Sequence, residues 1–137
     1  GLLREKHVVV TLADQNSLYH EGVFVPFFDQ PASTHYGPAM LAIRANVPIL
    51  TAFCHRQDDG KFHIEYGAPL TYDSQAPLRE QTWQLTAALT KRVEDAVRKN
   101  PSQWFWVHRR WKNQPRSDVP LWKYGPKVDD WQINSSD

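Results

Sequence analysis

Runs of hydrophobic residues along the chain predict buried strands. The run from Val8 to Ala13 is almost continuously apolar, which is typical of a central strand covered on both faces. The segments 22–28 and 47–53 are also short and apolar, and each predicts another buried strand. Together with the helices described next, these strands predict an α/β fold with a mixed, mostly parallel sheet flanked by helices.

A short helix is predicted just after the second of these strands. Residues 31–34 have the composition of a turn, and Gly37 and Pro38 open an apolar segment that ends near Arg44. Ser33 or Thr34 can cap this helix, because small hydroxyl side chains accept hydrogen bonds from the first free N–H groups. Proline is tolerated at the first helical position. We expect the positive end of this helix to attract an anion.

A hairpin and a long helix follow. Asp59 and Gly60 supply turn residues, and Phe62–Tyr66 alternates as a half-exposed strand does, which together predict an antiparallel hairpin. Beyond the hairpin, apolar side chains recur every three or four residues. This spacing predicts an amphipathic helix from a cap at Ser74 to about Lys99.

Length and charge restrict the classes of protein that need to be considered. The chain has 137 residues, 16 basic and 15 acidic side chains and a formal net charge of +1. It is therefore long enough for one domain, and its charge argues against a general binder of polyanions. Its single cysteine, Cys54, excludes an internal disulfide framework and is predicted to be a core thiol. No stretch reaches the ~20 apolar residues of a membrane-spanning helix, so we expect this chain by itself to be soluble.

Two segments are candidates for ligand binding. Asp14 and Gln15 follow the first predicted strand, where α/β sheets often bind ligands, although the same residue types also make ordinary turns. In the segment His108–Lys112, aromatic rings alternate with cations. Three interpretations remain open for this segment: packing of amphipathic side chains, binding of a phosphate-bearing ligand, or contact with an anionic membrane surface.

Several blocks, in the order in which they occur, resemble one known family. After Asp14-Gln15 come GVFVPFFDQPAST at 22–34, GPAMLAIRANVP at 37–48 and PSQWFWVHRRWK at 101–112. From about residue 8 to residue 112 the chain resembles the late acyltransferases of lipid A biosynthesis, the lauroyl/myristoyl type within the lysophospholipid acyltransferase superfamily. The resemblance implies transfer of a fatty acyl chain to a hydroxyl of a lipid A precursor or related glycolipid, at the cytoplasmic face of the bacterial inner membrane. The implied donor is acyl carrier protein or acyl-CoA, with no cofactor, no metal and no nucleic acid.

The catalytic motif of that family is absent from this sequence. The family uses a histidine, four intervening residues and an acidic residue, so that the carboxylate orients an imidazole acting as general base. The residues five positions after the six histidines are Leu12, Val25, Met40, Gly60, Ala68 and Asn113. None of them is acidic, so we assign no catalytic residue in this chain. We expect it to be truncated at its N-terminus and inactive alone, with residues 1–114 forming the C-terminal part of the domain and residues 115–137 an irregular tail.

The resemblance also suggests which residues contact the acceptor. It places Asp14 and Gln15 at a strand end facing the cleft, and it assigns Ser33, Thr34 and Gly37 to the loop that meets the acceptor's phosphate or sugar. Arg109 and Arg110 match the family's HRRW block and become candidate phosphate ligands. Asp29 stands where the family usually has a small residue.

Two other functions remain as alternatives. A non-catalytic module for anionic lipid headgroups would use the same basic and aromatic segment without any reaction. A nucleic-acid binder would stack bases on Trp104, Trp106 and Trp111, but the near-zero net charge makes this the weaker alternative.

Overall fold

The described part of the chain forms two antiparallel hairpins and two α-helices. A computed structural model describes residue 3 and residues 5–125. The elements, in chain order, are strand β1 (Gly22–Phe27), strand β2 (Gln30–His35), helix α1 (Gly37–Ala45), strand β3 (Ala52–Arg56), strand β4 (Phe62–Tyr66) and helix α2 (Leu78–Lys99), followed by short 3₁₀ turns at Pro101–Gln103 and Leu121–Tyr124.

The predicted mixed, mostly parallel α/β sheet is wrong. Within residues 5–125 the strands pair only as β1 with β2 and β3 with β4, and both pairs are antiparallel. The apolar run at the start of the chain forms no strand, and Val8, Val10 and Leu12 are 87%, 86% and 81% exposed. An apolar run becomes a central strand only where neighbouring strands satisfy its N–H and C=O groups. No other described segment lies alongside this run as a strand.

The core is built around β1. The prediction of a buried strand here is confirmed, since Val23, Phe24, Val25 and Phe27 are almost fully buried. Its partner β2 begins at Gln30, so the predicted turn at residues 31–34 is wrong. The chain reverses instead at Phe28 and Asp29, which both have positive φ, as a two-residue hairpin turn that matches strand twist requires.

Helix α2 covers one face of this hairpin. The predicted amphipathic helix and its end at Lys99 are confirmed, but the helix starts after Pro77 and no side chain caps it. The indole Nε1 of Trp83 donates to the backbone oxygen of Phe24 at 2.7 Å. Glu94, whose side chain is largely buried, accepts a hydrogen bond from the N–H of Phe28 at 2.7 Å. Apolar burial and two polar contacts therefore fix α2 against β1 and its turn.

The remaining elements differ from prediction mainly at their ends. The N-cap position of α1 is Tyr36, and no side-chain cap hydrogen bond is made from Ser33 or Thr34, because both hydroxyl residues lie within β2. The β3–β4 hairpin is confirmed, but the strand predicted over 47–53 begins only at Ala52. Cys54 is exposed rather than a core thiol.

The segment after residue 114 is attached to the core. The ring of Tyr124 stacks on Phe24 with centroids 5.1 Å apart, and the Tyr124 hydroxyl accepts a hydrogen bond from the N–H of Arg116 at 2.8 Å. The rest of the predicted tail, residues 126–137, lies outside the described residues. The domain boundary at residue 114 stays a prediction.

Among the helices that the structure describes, none combines the length and the apolar character needed to cross a membrane.

Candidate functional site

A cleft of about 590 Å³ lies between the segment before β1 and the N-terminus of α1. One part of its lining is apolar and the other is polar. The apolar lining comes from Val9, Val10, Leu12, Ala13, Leu18, Pro38 and Leu41, and the polar lining from Thr11, Gln15, Asn16, Ser17, Glu21 and His35, with Gly37 at the helix start. Such a surface suits a ligand with both a hydrocarbon part and a polar part.

Two of the seven predicted site residues line this cleft, namely Gln15 and Gly37. Asp14 is half-buried beside them but is not part of the lining. Arg109 is exposed and also lies outside the lining. The structure thus brings Gln15 and the start of α1 to one cleft, but it does not bring Arg109 to them.

The other three predicted residues, Ser33, Thr34 and Arg110, are buried and contact one another. Ser33 and Thr34 have no exposed surface and Arg110 is 1% exposed. The Arg110 guanidinium donates through Nη1 to the Ser33 backbone oxygen at 2.8 Å and through Nη2 to Thr34 Oγ1 at 2.5 Å. These residues form one buried polar cluster behind the cleft.

Burial dominates the electrostatics of Arg110. It lowers the pKa of Arg110 to about 10, while the negative charge of Asp14 acts in the opposite direction. The guanidinium also lies over the Phe27 ring, 5.1 Å from its centroid, a favourable arrangement for a cation. Its Nε has no hydrogen-bond partner among the described residues.

Residues 14–17 form a segment beside the cleft that we call the cleft loop. A set of hydrogen bonds holds this loop to the segment that contains Arg110. The Asn16 N–H donates to His108 Nε2 at 2.7 Å, and the Asn113 N–H donates to Asn16 Oδ1 at 3.1 Å. Asn113 Nδ2 donates to the Ser17 backbone oxygen at 2.6 Å. Sequence reasoning missed Asn16 and Asn113, because more than 90 residues separate them along the chain and no local pattern connects them.

His35 and Glu21 form the rim of the cleft near α1. The Gly37 N–H donates to His35 Nδ1 at 2.9 Å, and His35 Nε2 lies 4.0 Å from Glu21 Oε2. Because Nδ1 accepts a hydrogen bond, the proton of the neutral ring is on Nε2. His35 is therefore a hydrogen-bond donor toward the cleft. Sequence analysis missed this role, and the position of His35 directly before the helix was the available signal.

These contacts also change the expectation that the start of α1 attracts an anion. The Gly37 N–H is already used by His35, and Pro38 has no N–H to offer. Fewer free donors remain there than the sequence predicted. In the part of the chain that the structure describes, no three His, Cys, Asp or Glu side chains come together as a metal site.

Comparison with known proteins gives two results. Residues 1–113 match the family described as bacterial lipid A biosynthesis acyltransferase. The chain is also similar to the lipid A biosynthesis lauroyltransferase of Escherichia coli (strain K12), with 29% identity over 114 residues, which cover 82% of this chain. The matched part is 36% of that relative's length, so the chain spans about a third of the protein that it resembles.

Proposed function

The chain belongs to the family of bacterial lipid A biosynthesis acyltransferases, and from this we propose that the protein containing it transfers a fatty acyl chain from a thioester to a lipid hydroxyl. The proposed donor is acyl carrier protein or acyl-CoA, and the proposed acceptor is a lipid A precursor or related glycolipid at the inner-membrane surface. The family match over residues 1–113 is the observation that carries this proposal.

The proposed reaction is a direct acyl transfer. The acceptor oxygen attacks the thioester carbonyl carbon, a C–O ester bond forms, and the C–S bond breaks. A general base removes the hydroxyl proton, which then passes to the thiolate leaving group. No covalent enzyme intermediate is needed.

The hydrogen bonding of the histidines supports a base from outside this sequence. In the neutral ring, His35 uses its Nδ1 lone pair to accept from Gly37, and His108 uses its Nε2 lone pair to accept from Asn16. Neither lone pair is free to take a proton from an acceptor. His20 is exposed and lies outside the cleft lining. We therefore assign the base to a His-x4-Asp/Glu motif elsewhere in the protein, with this chain inactive alone.

Within this chain we assign two kinds of role to the predicted site residues. Gln15 and Gly37, which line the cleft, contact the acceptor directly, and Asp14 contributes its charge beside them. Ser33, Thr34 and Arg110 are buried behind the cleft and position its polar wall. Arg109 is exposed outside the cleft lining and contacts lipid phosphate at the membrane surface.

The test compares the complete encoded polypeptide with this chain. Their intact masses are measured first, and both are then incubated with a lipid A precursor and either acyl carrier protein thioesters or acyl-CoA of several chain lengths. We expect acylated lipid only with a longer polypeptide that carries the His-x4-Asp/Glu motif, and loss of product when that histidine is changed to alanine. Acyl transfer by the 137-residue chain alone would overturn the assignment of the base. Lipid binding without transfer by the complete polypeptide would favour the headgroup-binding module.

A further inference from the structure

Three consecutive apolar side chains protrude from the surface between α2 and the HRRW block. Phe105 is 68% exposed, Trp106 50% and Val107 80%. We call residues 104–107 the aromatic loop. Single exposed apolar residues are common on proteins, but a contiguous group indicates a binding surface.

Ring contacts and one hydrogen bond attach the aromatic loop to the rest of the fold. Trp104 packs edge-on against the buried Phe27, with centroids 5.5 Å apart, and Trp106 packs edge-on against Trp104 at 4.8 Å. The Trp106 indole donates to the Pro101 backbone oxygen at 2.6 Å. Trp104 therefore anchors the loop to the core, while Phe105, between the two tryptophans, lies outside the core.

Two backbone N–H groups in and next to the aromatic loop donate to carbonyl oxygens of the loop itself. The Trp106 N–H donates to the Trp104 carbonyl at 2.9 Å, and the His108 N–H donates to the Phe105 carbonyl at 3.2 Å. Each such bond lowers the cost of moving the loop out of water, since an unpaired N–H is expensive in an apolar medium.

The charge next to the aromatic loop is positive. From residue 96 to residue 117 the sequence has no acidic residue; its cations are Arg98, Lys99, Arg109, Arg110, Lys112 and Arg116. Three of them are engaged in ion pairs, with Glu94, Glu65 and Asp118, and Arg110 is buried. Arg109 and Lys112 are exposed and have no carboxylate within ion-pair distance among the described residues. Two available cations therefore follow the exposed apolar side chains directly.

We propose that the aromatic loop inserts into the interfacial region of an anionic lipid bilayer while Arg109 and Lys112 contact the lipid phosphates. Aromatic rings favour the boundary between headgroups and acyl chains, and basic side chains are attracted to the negative surface of such a bilayer. A bilayer explains the exposure of Phe105 and Val107, because a polyanion without acyl chains offers no apolar medium to them. The proposed function suggests the membrane as partner, but the insertion itself requires no acyl transfer.

The test measures partition of the 137-residue chain onto vesicles by flotation. Vesicles of phosphatidylcholine alone are compared with vesicles that also contain phosphatidylglycerol. Phe105→Asp/Val107→Asp is expected to lower the partition coefficient on the anionic vesicles by at least about tenfold. Arg109→Gln/Lys112→Gln is expected to lower it by on the order of tenfold on anionic vesicles and to leave it nearly unchanged on neutral ones.

Matched control variants distinguish binding through the aromatic loop from nonspecific hydrophobic adsorption and from nonspecific electrostatic attraction. Phe62 and Ile64 on the β3–β4 hairpin are 71% and 50% exposed, so Phe62→Asp/Ile64→Asp introduces two aspartates in place of two exposed apolar residues at a different site. Arg44 and Arg92 are exposed as well, and Arg44→Gln/Arg92→Gln removes the same charge. Both controls are expected to bind as the unchanged chain does.

Three results would overturn the proposal. They are the absence of vesicle binding by the unchanged chain, unchanged binding by the Phe105/Val107 variant, and an equal loss in the controls. A fourth result would also contradict it: only the Arg109/Lys112 variant loses vesicle binding, and the same variant loses binding of single-stranded DNA. That result would indicate a phosphate-binding site without insertion of the loop. The vesicle assay contains no acyl donor, so it does not test acyl transfer. Absence of vesicle binding would not contradict the acyl-transfer proposal, and absence of acyl transfer would not contradict loop insertion.

Discussion

Arg110 donates from Nη1 to the backbone oxygen of Ser33 at 2.8 Å, although 77 residues separate the two along the chain. The same oxygen accepts the Ser17 N–H at 3.1 Å, so one carbonyl joins the cleft loop, β2 and the HRRW block. Arg110 itself does not line the cleft. The shape of the polar wall therefore depends on a cation that the ligand does not need to contact.

Replacing Arg110 tests this dependence. Arg110→Met removes the donor to the Thr34 hydroxyl and one of the two donors to the Ser33 carbonyl, and the expected loss in the free energy of unfolding is about 2–4 kcal/mol. Arg109→Met, on an exposed neighbour, is expected to change it by no more than about 0.5 kcal/mol. Urea unfolding followed by circular dichroism measures both. Equal effects of the two variants would show that the buried hydrogen bonds of Arg110 do not stabilise the fold more than an exposed arginine does.

Glu94 gives the fold a specific pH dependence. Burial disfavours its charge, but the N–H of Phe28 and the side chains of Lys91 and Arg98 together outweigh burial and lower the pKa of Glu94 below its usual 4.5. Because the pKa is lowered in the folded state, the stabilisation is complete above pH 4.5 and is lost as pH falls through the folded pKa.

The variant Glu94→Gln tests the sign of this effect. We expect it to lower the free energy of unfolding by about 1–3 kcal/mol at neutral pH, and the difference from the unchanged chain to shrink in acid. Asp95→Asn is the control, since Asp95 also pairs with Lys91 but is 48% exposed, and its effect is expected to be smaller. Urea unfolding at a series of acidic pH values measures the free energy of unfolding of the two variants and the unchanged chain. A difference that stays constant down to the lowest pH would contradict a titrating Glu94.

The turn between β1 and β2 holds Asp29 in a backbone conformation that lowers the stability of the fold, and a substitution can remove this cost. Asp29 has φ of 59°, a conformation that glycine adopts more easily than any residue with a side chain. Asp29→Gly is therefore expected to raise the free energy of unfolding by about 0.5–1 kcal/mol. Asp58→Gly, in the other hairpin turn and without positive φ, is expected to be neutral or destabilising. Thermal unfolding compares them, and an equal response of the two turns would rule out the conformational explanation.

Gly37 and His35 are expected to act as one unit in the proposed reaction. A Cβ at Gly37 would lie 2.4 Å from His35 Cε1 and 2.7 Å from its Nδ1, so Gly37→Ala displaces the imidazole from the rim of the cleft. We expect acyl transfer by the complete protein to fall by at least about tenfold, the cost of roughly one hydrogen bond to a developing charge. Stability is expected to change little, because alanine favours helix formation.

A double variant separates displacement of the ring from other effects of the new methyl group. In a His35→Ala background there is no ring to displace, so adding Gly37→Ala is expected to reduce the rate little further. Initial rates of lipid acylation in the four proteins provide the measurement. If the two single losses multiply in the double variant, the two residues act independently and the explanation fails.

Local patterns predicted the elements whose stability is local. The three- and four-residue spacing up to Val97 gave helix α2 and its end at Lys99, and Asp59-Gly60 gave the second hairpin. The blocks that resemble the acyltransferase family were recognised correctly, as the match over residues 1–113 confirms. These features depend on periodicity, turn chemistry and residue order, all of which a sequence displays directly.

Long-range pairing was decided only in three dimensions. The run Val8–Ala13 has the composition of a central strand, but composition does not supply partner strands, and in the described chain the run remains exposed. Arg110 could not be distinguished from Arg109 by its neighbours in sequence, because its burial depends on β2 and on the ring of Phe27. The chain by itself thus determined its family and its local elements, while the tertiary structure decided which of its polar residues line the cleft and which are buried behind it.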